Sequence, residues 1–290
     1  MINLSVVSDY NFLGKGLTLY ESLMKFNDNF VMHFLCIDEE TFEKIKEINK
    51  ENIVAYRLQD LLDADENLSN LKEDEYKYFC WSLASYFTNY LNRKLCCDIT
   101  YIDADIYFHQ DINLLFEEIG NKEVGIFRHR QYDMRHPNGN GWFNVGVVHF
   151  KNTESGRHLL NWWSDAVLHK KYPELATCGD QRYLDAFLAL DRTKLFIDGN
   201  IGHGAPWQWY LYYFDTYATD GCITWHGKKQ KLVFSHFSQF VYSIEEDTYN
   251  PCTTHYCFTP ADLYKNNEGL KKIYDDYFEQ IKKTHEVYKL

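Results

Sequence analysis

A chain of 290 residues, 45% of them apolar, is long enough to close a sizeable hydrophobic core as one large α/β domain or two small ones. Its 17% aromatic content and only 5 prolines exclude a disordered or low-complexity chain, and no apolar run approaches the roughly 20 residues of a spanning helix. Asp+Glu 42 against Lys+Arg 30 leaves a net charge of −12, so there is no general attraction to phosphate backbones and no expectation of nucleic-acid binding.

In chain order, Asn3–Ser8 reads as a strand, followed by a helix over Phe12–Phe26 with Leu13, Leu17, Tyr20, Leu23 and Met24 on one stripe. Val31–Ile37 is a second strand, Thr41–Ile48 a helix and Ile53–Arg57 a third strand. Asp60–Leu71 is acidic and reads as irregular, with room for a short helix. A longer aromatic-rich helix spans Glu75–Leu91, and a fourth strand, Ile99–Ile102, ends abruptly in Asp103-Ala104-Asp105. A helix (Ile112–Ile119) and a strand (Val124–Phe127) follow. Strands separated by helices of these lengths imply βαβ units, an α/β fold and a mainly parallel sheet.

The second half is less regular. Arg128–Gly141, with Pro137 to Gly141 in succession, is a loop; Phe143–Phe150 is a strand, Gly156–His169 a helix, and Gly179–Leu190 another helix. Gly199–Trp209 reads as a Gly/His/Trp-rich loop and Leu232–Phe237 as a late strand. No repeat or linker is visible, so residues 1–240 read as a catalytic domain and 241–290 as a C-terminal helical extension packed on it. In that extension Leu270, Ile273, Tyr274, Tyr277, Phe278 and Ile281 share one helical stripe. The alternative for this stripe is peripheral membrane contact or docking of a partner, helped by lysines 271, 272, 282 and 283 and weakened by Asp275, Asp276 and Glu279.

The start, Met1 to Ser5, has neither a basic segment nor an apolar one of secretory type, so a cytoplasmic location is expected. Eight cysteines in such a chain read as reduced thiols. Cys222, His226, Cys252, His255 and Cys257 are soft donors, but their spacing does not match a standard zinc site.

The chemistry concentrates at strand ends. An apolar strand that delivers Asp103 and Asp105 one residue apart makes an oxygen-rich site suited to Mg²⁺ or Mn²⁺, since two neighbouring carboxylates repel until a cation neutralises them. Downstream, Asn144 and Gly146 open the Phe143–Phe150 strand, where an amide can bond a hydroxylated ligand and a glycine admits close approach. Asp180 and Gln181 follow, Asp180 also reading as a helix N-cap. His236 ends the late strand, either as a core histidine or as a further ligand for Mn²⁺.

This ordered set resembles the GT-A nucleotide-sugar glycosyltransferases, and in particular the retaining enzymes of glycosyltransferase family 8 and their bacterial relatives. The matching pieces are Ser8-Asp9-Tyr10-Asn11, Tyr101-Ile102-Asp103-Ala104-Asp105, Phe143-Asn144-Val145-Gly146, Asp180-Gln181-Arg182-Tyr183-Leu184-Asp185, Ala205-Pro206-Trp207 and Phe234-Ser235-His236-Phe237. The resemblance implies a Rossmann-like mixed, mainly parallel sheet flanked by helices. It implies metal ligation by Asp103, Asp105 and His236, and a nucleoside pocket lined by Ser8, Asp9 and Tyr10, with Ala104 and Gly146 also beside the donor. Asn144 and Asp180 would hold donor-sugar hydroxyls, and Gln181 would lie by the reacting sugar face. The donor would be a nucleotide-diphosphate sugar, UDP-sugar favoured, and the acceptor a saccharide or glycoconjugate. The setting would be surface polysaccharide assembly at the inner face of a membrane.

Two features depart from the family pattern. His236 is followed by Phe237-Ser238-Gln239-Phe240, without the lysine that contacts the diphosphate in family 8, which leaves Lys15, Arg128 and Arg130 as candidate cations. Phe79-Cys80-Trp81-Ser82-Leu83 also lacks a basic residue, so the donor's identity does not transfer. Two rival readings are a haloacid-dehalogenase-like phosphatase and a non-catalytic nucleotide-sugar-binding protein. The first also carries paired acids after a strand, but Ile106-Tyr107 does not continue its motif. Trp207, Trp209, Tyr210, Tyr212 and Tyr213 read equally as a sugar-stacking platform or as core.

Overall fold

Short apolar runs alternate with helices, and the caps of the first two helices are visible in the sequence. β1 (Ile2–Ser8) runs into α1 (Tyr10–Met24), whose first turn is closed by the Asp9 carboxylate accepting the Phe12 N–H at 3.0 Å. β2 (Phe30–Cys36) leads to α2 (Glu39–Ile48), capped by Asp38 on the Thr41 N–H at 2.8 Å and ended by Asn49 at φ 49°. β3 (Ile53–Arg57) follows. This computed structural model describes residues 1–72, 76–130, 139–251 and 259–290.

The acidic stretch after β3 is not irregular: it forms α3 (Leu58–Ala64) and α4 (Glu66–Lys72). Leu58, Leu61, Leu62, Leu68 and Leu71 are buried from these helices, while the acids that suggested a loop occupy the solvent side. Next come α5 (Tyr76–Leu95), β4 (Ile99–Ile102), β5 (Ile106–Phe108), α6 (Asn113–Ile119), β6 (Val124–Arg128), β7 (Phe143–Phe150) and α7 (Glu154–Leu168). The single helix expected over 179–190 is instead a 3-10 segment, Gln181–Ala186, running into the short α8 (Phe187–Asp191). The Trp163 indole N–H donates to the Asp180 carbonyl at 3.0 Å, occupying the acceptor that a regular helix would use.

β8 (Leu195–Ile197), β9 (Gly202–Gly204), β10 (Tyr212–Tyr213), α9 (Tyr217–Asp220), β11 (Cys222–Trp225), β12 (Lys228–His236), β13 (Val241–Ser243) and β14 (Thr248–Asn250) complete the strands. α10 (Ala261–Asn266) and α11 (Glu268–Tyr288) close the chain. β9 lies within the segment read as a loop, and pairs in parallel with β12.

The main sheet has seven strands in the order β3-β2-β1-β4-β7-β6-β8. β7 runs against both neighbours and the rest are parallel, so the fold is the expected α/β mixed, mainly parallel sheet flanked by helices, with C-terminal helices. α1 and α6 cover one face and α3, α4, α5 and α7 the other. A second sheet, β10-β11-β12-β5, packs under α11. The α11 stripe (Leu270, Ile273, Tyr274, Tyr277, Phe278, Ile281) is buried there, with Tyr277 stacked on Phe237 at 3.8 Å, so that apolar face is covered by the protein itself. No helix among the described residues is long and apolar enough to cross a membrane.

Candidate active site

β1 is flanked by β2 on one side and by the later strand β4 on the other. This reversal of strand order is the topological switch point where open α/β sheets bind ligands beyond their carboxyl ends. All four residues of β4 are buried, and its first charged side chains appear only as it leaves the sheet, at Asp103 and Asp105. Two bonds fix that exit: the Asp103 N–H donates to the Gly146 carbonyl of β7 (2.9 Å), and the Ile106 N–H closes a turn on the Asp103 carbonyl (3.1 Å).

The chain then leaves the main sheet as β5 and pairs antiparallel with the end of β12, His236 opposite Ile106. The Phe237 N–H donates to the Asp105 carbonyl at 2.9 Å. His236 Nε2 thereby lies 3.1 Å from Asp105 Oδ1 and 3.7 Å from Asp103 Oδ2. One ligand atom from each of the three residues falls within 4.8 Å of the others, the only such group among the described residues.

The protonation pattern follows from neighbours. The Asn144 side-chain oxygen accepts the Gly146 N–H at 3.0 Å, so it also acts as acceptor toward His236 Nδ1 at 2.9 Å, and Nδ1 carries the proton. Nε2 then faces the two carboxylates, and the positive charge between them is either its own proton or a metal ion in its place: burial lowers the imidazole, but Asp105 and then Asp103 raise it above the usual range. Burial pushes Asp105 up, but His236 and Lys15 outweigh it and hold its carboxyl below the usual range. Burial raises Asp103, with the Asp105 charge adding to it against the pull of His236. Two carboxylates and an imidazole with an inward lone pair fit a Mn²⁺ or Mg²⁺ ion.

Asn144 Nδ2 donates to Gln181 Oε1 (2.9 Å), which also takes the Val145 N–H (3.2 Å), and Gln181 Nε2 donates to the Asn140 carbonyl (2.7 Å). Asn144 and Gln181 are thus joined to each other and to His236. Asp180 is 3% exposed and makes no side-chain cap bond; its Oδ2 has no partner among the described residues. Burial, then the charge of Asp103, push its carboxyl well above the usual range. On the β1 side, the Ser8 hydroxyl donates to the Asp9 carbonyl (2.9 Å), Asp9 caps α1, and the Tyr10 N–H donates to Asp38 Oδ2 (2.9 Å). Ser8, Asp9 and Tyr10 therefore sit at the carboxyl edge of the strand beside β4. Ala104 is buried between the two acids.

The three candidate cations separate. Arg130 is buried, bonded to Asp198 (2.9 Å) and to the Tyr212 hydroxyl (2.7 Å), with its guanidinium 3.6 Å from the Trp225 ring centroid. Arg128 is half-exposed and also pairs with Asp198, at 3.4 Å. Lys15 is held on the Asp105 side, its ammonium donating to the Phe240 carbonyl at 2.8 Å in the segment whose Phe237 N–H is bonded to the Asp105 carbonyl. In the aromatic cluster Trp207, Trp209 and Tyr212 are core residues, whereas Tyr210 and Tyr213 are exposed. Cys252, His255 and Cys257 lie outside the described residues; the Cys222 thiol faces the Asp220 carbonyl at 3.6 Å.

Sequence reasoning missed two supports of the cluster. The Tyr101 hydroxyl donates to Asp103 Oδ1 at 2.6 Å, which the two-residue strand period, placing 101 and 103 on one face, could have suggested. Trp207 meets His236 edge to face at 5.4 Å and stacks on His129 at 4.5 Å, its indole N–H held by the His129 carbonyl (2.8 Å). No local pattern signals that contact.

A family model described as nucleotide-diphospho-sugar transferase matches residues 28–224. Two Bacillus subtilis (strain 168) proteins described as uncharacterized are similar over most of their length. YfnF is 30% identical over 258 residues, covering 81% of this chain and 80% of its own; YfnD is 24% identical over 278 residues, covering 93% and 85%. Among solved structures, mouse xyloside xylosyltransferase 1 superposes with a TM-score of 0.57 at 16% identity, over 82% of this chain and 98% of that one. The galactosyltransferase LgtC, in complex with donor and acceptor sugar analogues, superposes with a TM-score of 0.54 at 14% identity, over 82% and 87%. With its strand order, its paired acids at the switch point and a family match over most of its length, this chain belongs to the nucleotide-diphospho-sugar transferases of GT-A fold.

Proposed function

We propose that this protein is a divalent-metal-dependent glycosyltransferase. It moves a sugar from a nucleotide-diphosphate donor, UDP-sugar favoured, to a saccharide or glycoconjugate acceptor with retention of anomeric configuration. The observation that carries this reading is the convergence of Asp103, Asp105 and His236 at the carboxyl end of β4. These three residues would hold Mn²⁺ or Mg²⁺, which when bound supplies Lewis-acid neutralisation of charge on the leaving diphosphate.

The chain's own residues do the rest. Ser8, Asp9 and Tyr10 line the nucleoside, Tyr10 by stacking on the base. Ala104 and Gly146 leave room beside the acids for the donor. Asn144 fixes the His236 ring, and with Gln181 forms the floor under the donor sugar. Asp180, buried and with its carboxyl pushed well above the usual range by burial and by Asp103, has an oxygen uncommitted among the described residues that can meet a sugar hydroxyl. In the reaction, the bond from the anomeric carbon to the phosphate oxygen breaks with its electron pair going to that oxygen. The acceptor oxygen bonds to the anomeric carbon, and its proton ends on the departing diphosphate.

Retention is favoured by the Asp180-Gln181 likeness to the retaining enzymes of family 8. The alternative is inversion with Asp185 as base: burial raises its carboxyl to about 6, a value suited to that role, although one oxygen accepts the Trp142 N–H at 2.8 Å. Membership of the transferase family sets the phosphatase reading aside.

The test is thermal shift with UDP, GDP, CDP and ADP and their sugars, with Mn²⁺ or with EDTA, since a ligand of the folded state alone raises the melting temperature. One nucleotide stabilising only with metal is the expected result, and Asp103→Ala, Asp105→Ala and His236→Ala should each abolish it. No shift from any nucleotide would sink the reading. A donor that binds with metal but is neither hydrolysed nor transferred would make the protein a binding module. The anomeric configuration of a product, read by proton NMR, decides retention.

A further inference from the structure

Lys15 lies in the second turn of α1 and is 7% exposed, an unusual burial for a lysine. Its ammonium donates one hydrogen bond, to the Phe240 carbonyl at 2.8 Å, and sits 4.6 Å from the Phe12 ring centroid. Among the described residues no carboxylate comes within ion-pair distance of it, yet it lies beside the cluster: its acceptor Phe240 closes a turn on Phe237, whose N–H is bonded to the Asp105 carbonyl, and a β-carbon on the adjacent Gly16 would lie 3.8 Å from that of Ala104. An ammonium has three N–H donors, so two remain beside the metal-type cluster. A buried cation with donors in hand is costly unless an acceptor arrives. An anionic acceptor fits best, since it also offsets the buried charge, and it would reach the second turn of α1 beside Asp105.

We propose that Lys15 is the protein cation that binds the diphosphate of the donor. It stands in for the lysine missing after His236, and this inference rests on reading the Asp103/Asp105/His236 cluster as the donor site. The tether to Phe240 explains the substitution in space. The segment after β12 holds Lys15 from the carbonyl side, so the positive charge comes from α1 while that segment fixes its position. Arg130 and Arg128 are committed to Asp198, so neither competes for the role. As a compact point charge, an ammonium suits phosphate oxygens that a divalent ion also contacts.

The experiment is calorimetric titration of the full chain in Mn²⁺ with a nucleoside diphosphate (UDP first, then GDP, CDP and ADP) and with the matching monophosphate. It compares wild type, Lys15→Met and Lys15→Arg. Lys15→Met should weaken the diphosphate about 10- to 100-fold and the monophosphate much less, collapsing the preference between them, while Lys15→Arg keeps most of it. An unchanged diphosphate affinity in Lys15→Met overturns the assignment. An equal loss for both nucleotides does so too, because it marks Lys15 as a structural tie between α1 and Phe240. If wild type binds none of the diphosphates, the donor-site reading fails first and the Lys15 assignment goes with it.

Discussion

Replacing Gly146 by alanine tests whether the His236–Asn144 bond sets the cluster. A β-carbon built there would lie 2.6 Å from His236 Nδ1 and 2.7 Å from Asn144 Oδ1, in the middle of the hydrogen bond that joins them. The backbone cannot retreat, because the Gly146 carbonyl is bonded to the Asp103 N–H and β7 is paired along β4. Gly146 does not have a positive φ, so the whole effect is steric. The two side chains must therefore part. Loss of the outer-shell partner of a metal-binding imidazole costs roughly 10- to 100-fold in ion affinity, about 1.4–2.7 kcal/mol. Titration of Mn²⁺ in the presence of nucleoside diphosphate measures this directly, and the melting temperature of the apo-protein should fall by only a few degrees. Asn144→Ala removes the acceptor without adding a methyl, and should weaken the ion in the same direction. If Gly146→Ala binds Mn²⁺ within twofold of wild type, the bond does not orient His236 and the argument fails.

Arg130→Met should destabilise the fold by about 3 kcal/mol, since it takes a buried guanidinium from the buried Asp198 carboxylate, leaving it Arg128 and His203, and removes the contact with Trp225. Thermal melts should drop by roughly 6–12 °C and recover in part in the Arg130→Met/Asp198→Asn double variant; a loss under about 1 kcal/mol would show the pair contributes little. His149 is buried and bonded to the Thr100 hydroxyl at 2.9 Å, and burial lowers its pKa to about 4. The unfolded chain takes up this proton first as pH falls below about 6.5, so neutral His149 costs stability progressively between that pH and about 4. His149→Gln should accordingly gain on wild type by up to about 1.4 kcal/mol per pH unit across that window in denaturant melts, and a pH-independent difference would contradict the shift.

Much of this protein is legible in one dimension because its determinants are local. The caps Asp9, Asp38 and Thr153 start helices with a side-chain bond a few residues away, and β4 announces itself by four buried residues followed at once by two acids. The parallel sheet follows from the alternation of those elements, and the order of the motifs points to the family before any contact is known. The stretch after β3 was harder, since its acids and its leucine stripe give opposite signals and burial decided for the leucines. The 3-10 turn at Gln181 was not legible at all, because the bonds that unmake the helix come from Trp163 and Asn140.

The site divides the same way. The sequence by itself determined which residues have the chemistry: two acids one residue apart, an amide beside a glycine, an acid–amide pair, a terminal histidine. Only the tertiary structure decided which of them meet. His236 reaches Asp105 because β5 leaves the main sheet to pair with a strand more than a hundred residues later, a non-local pairing that no periodicity encodes. The same holds for the choice among cations. Lys15, Arg128 and Arg130 are alike as letters, and burial beside Asp198 or beside Asp105 is a property of the packed chain, where the field of neighbouring charges rather than residue type sets what each can bind.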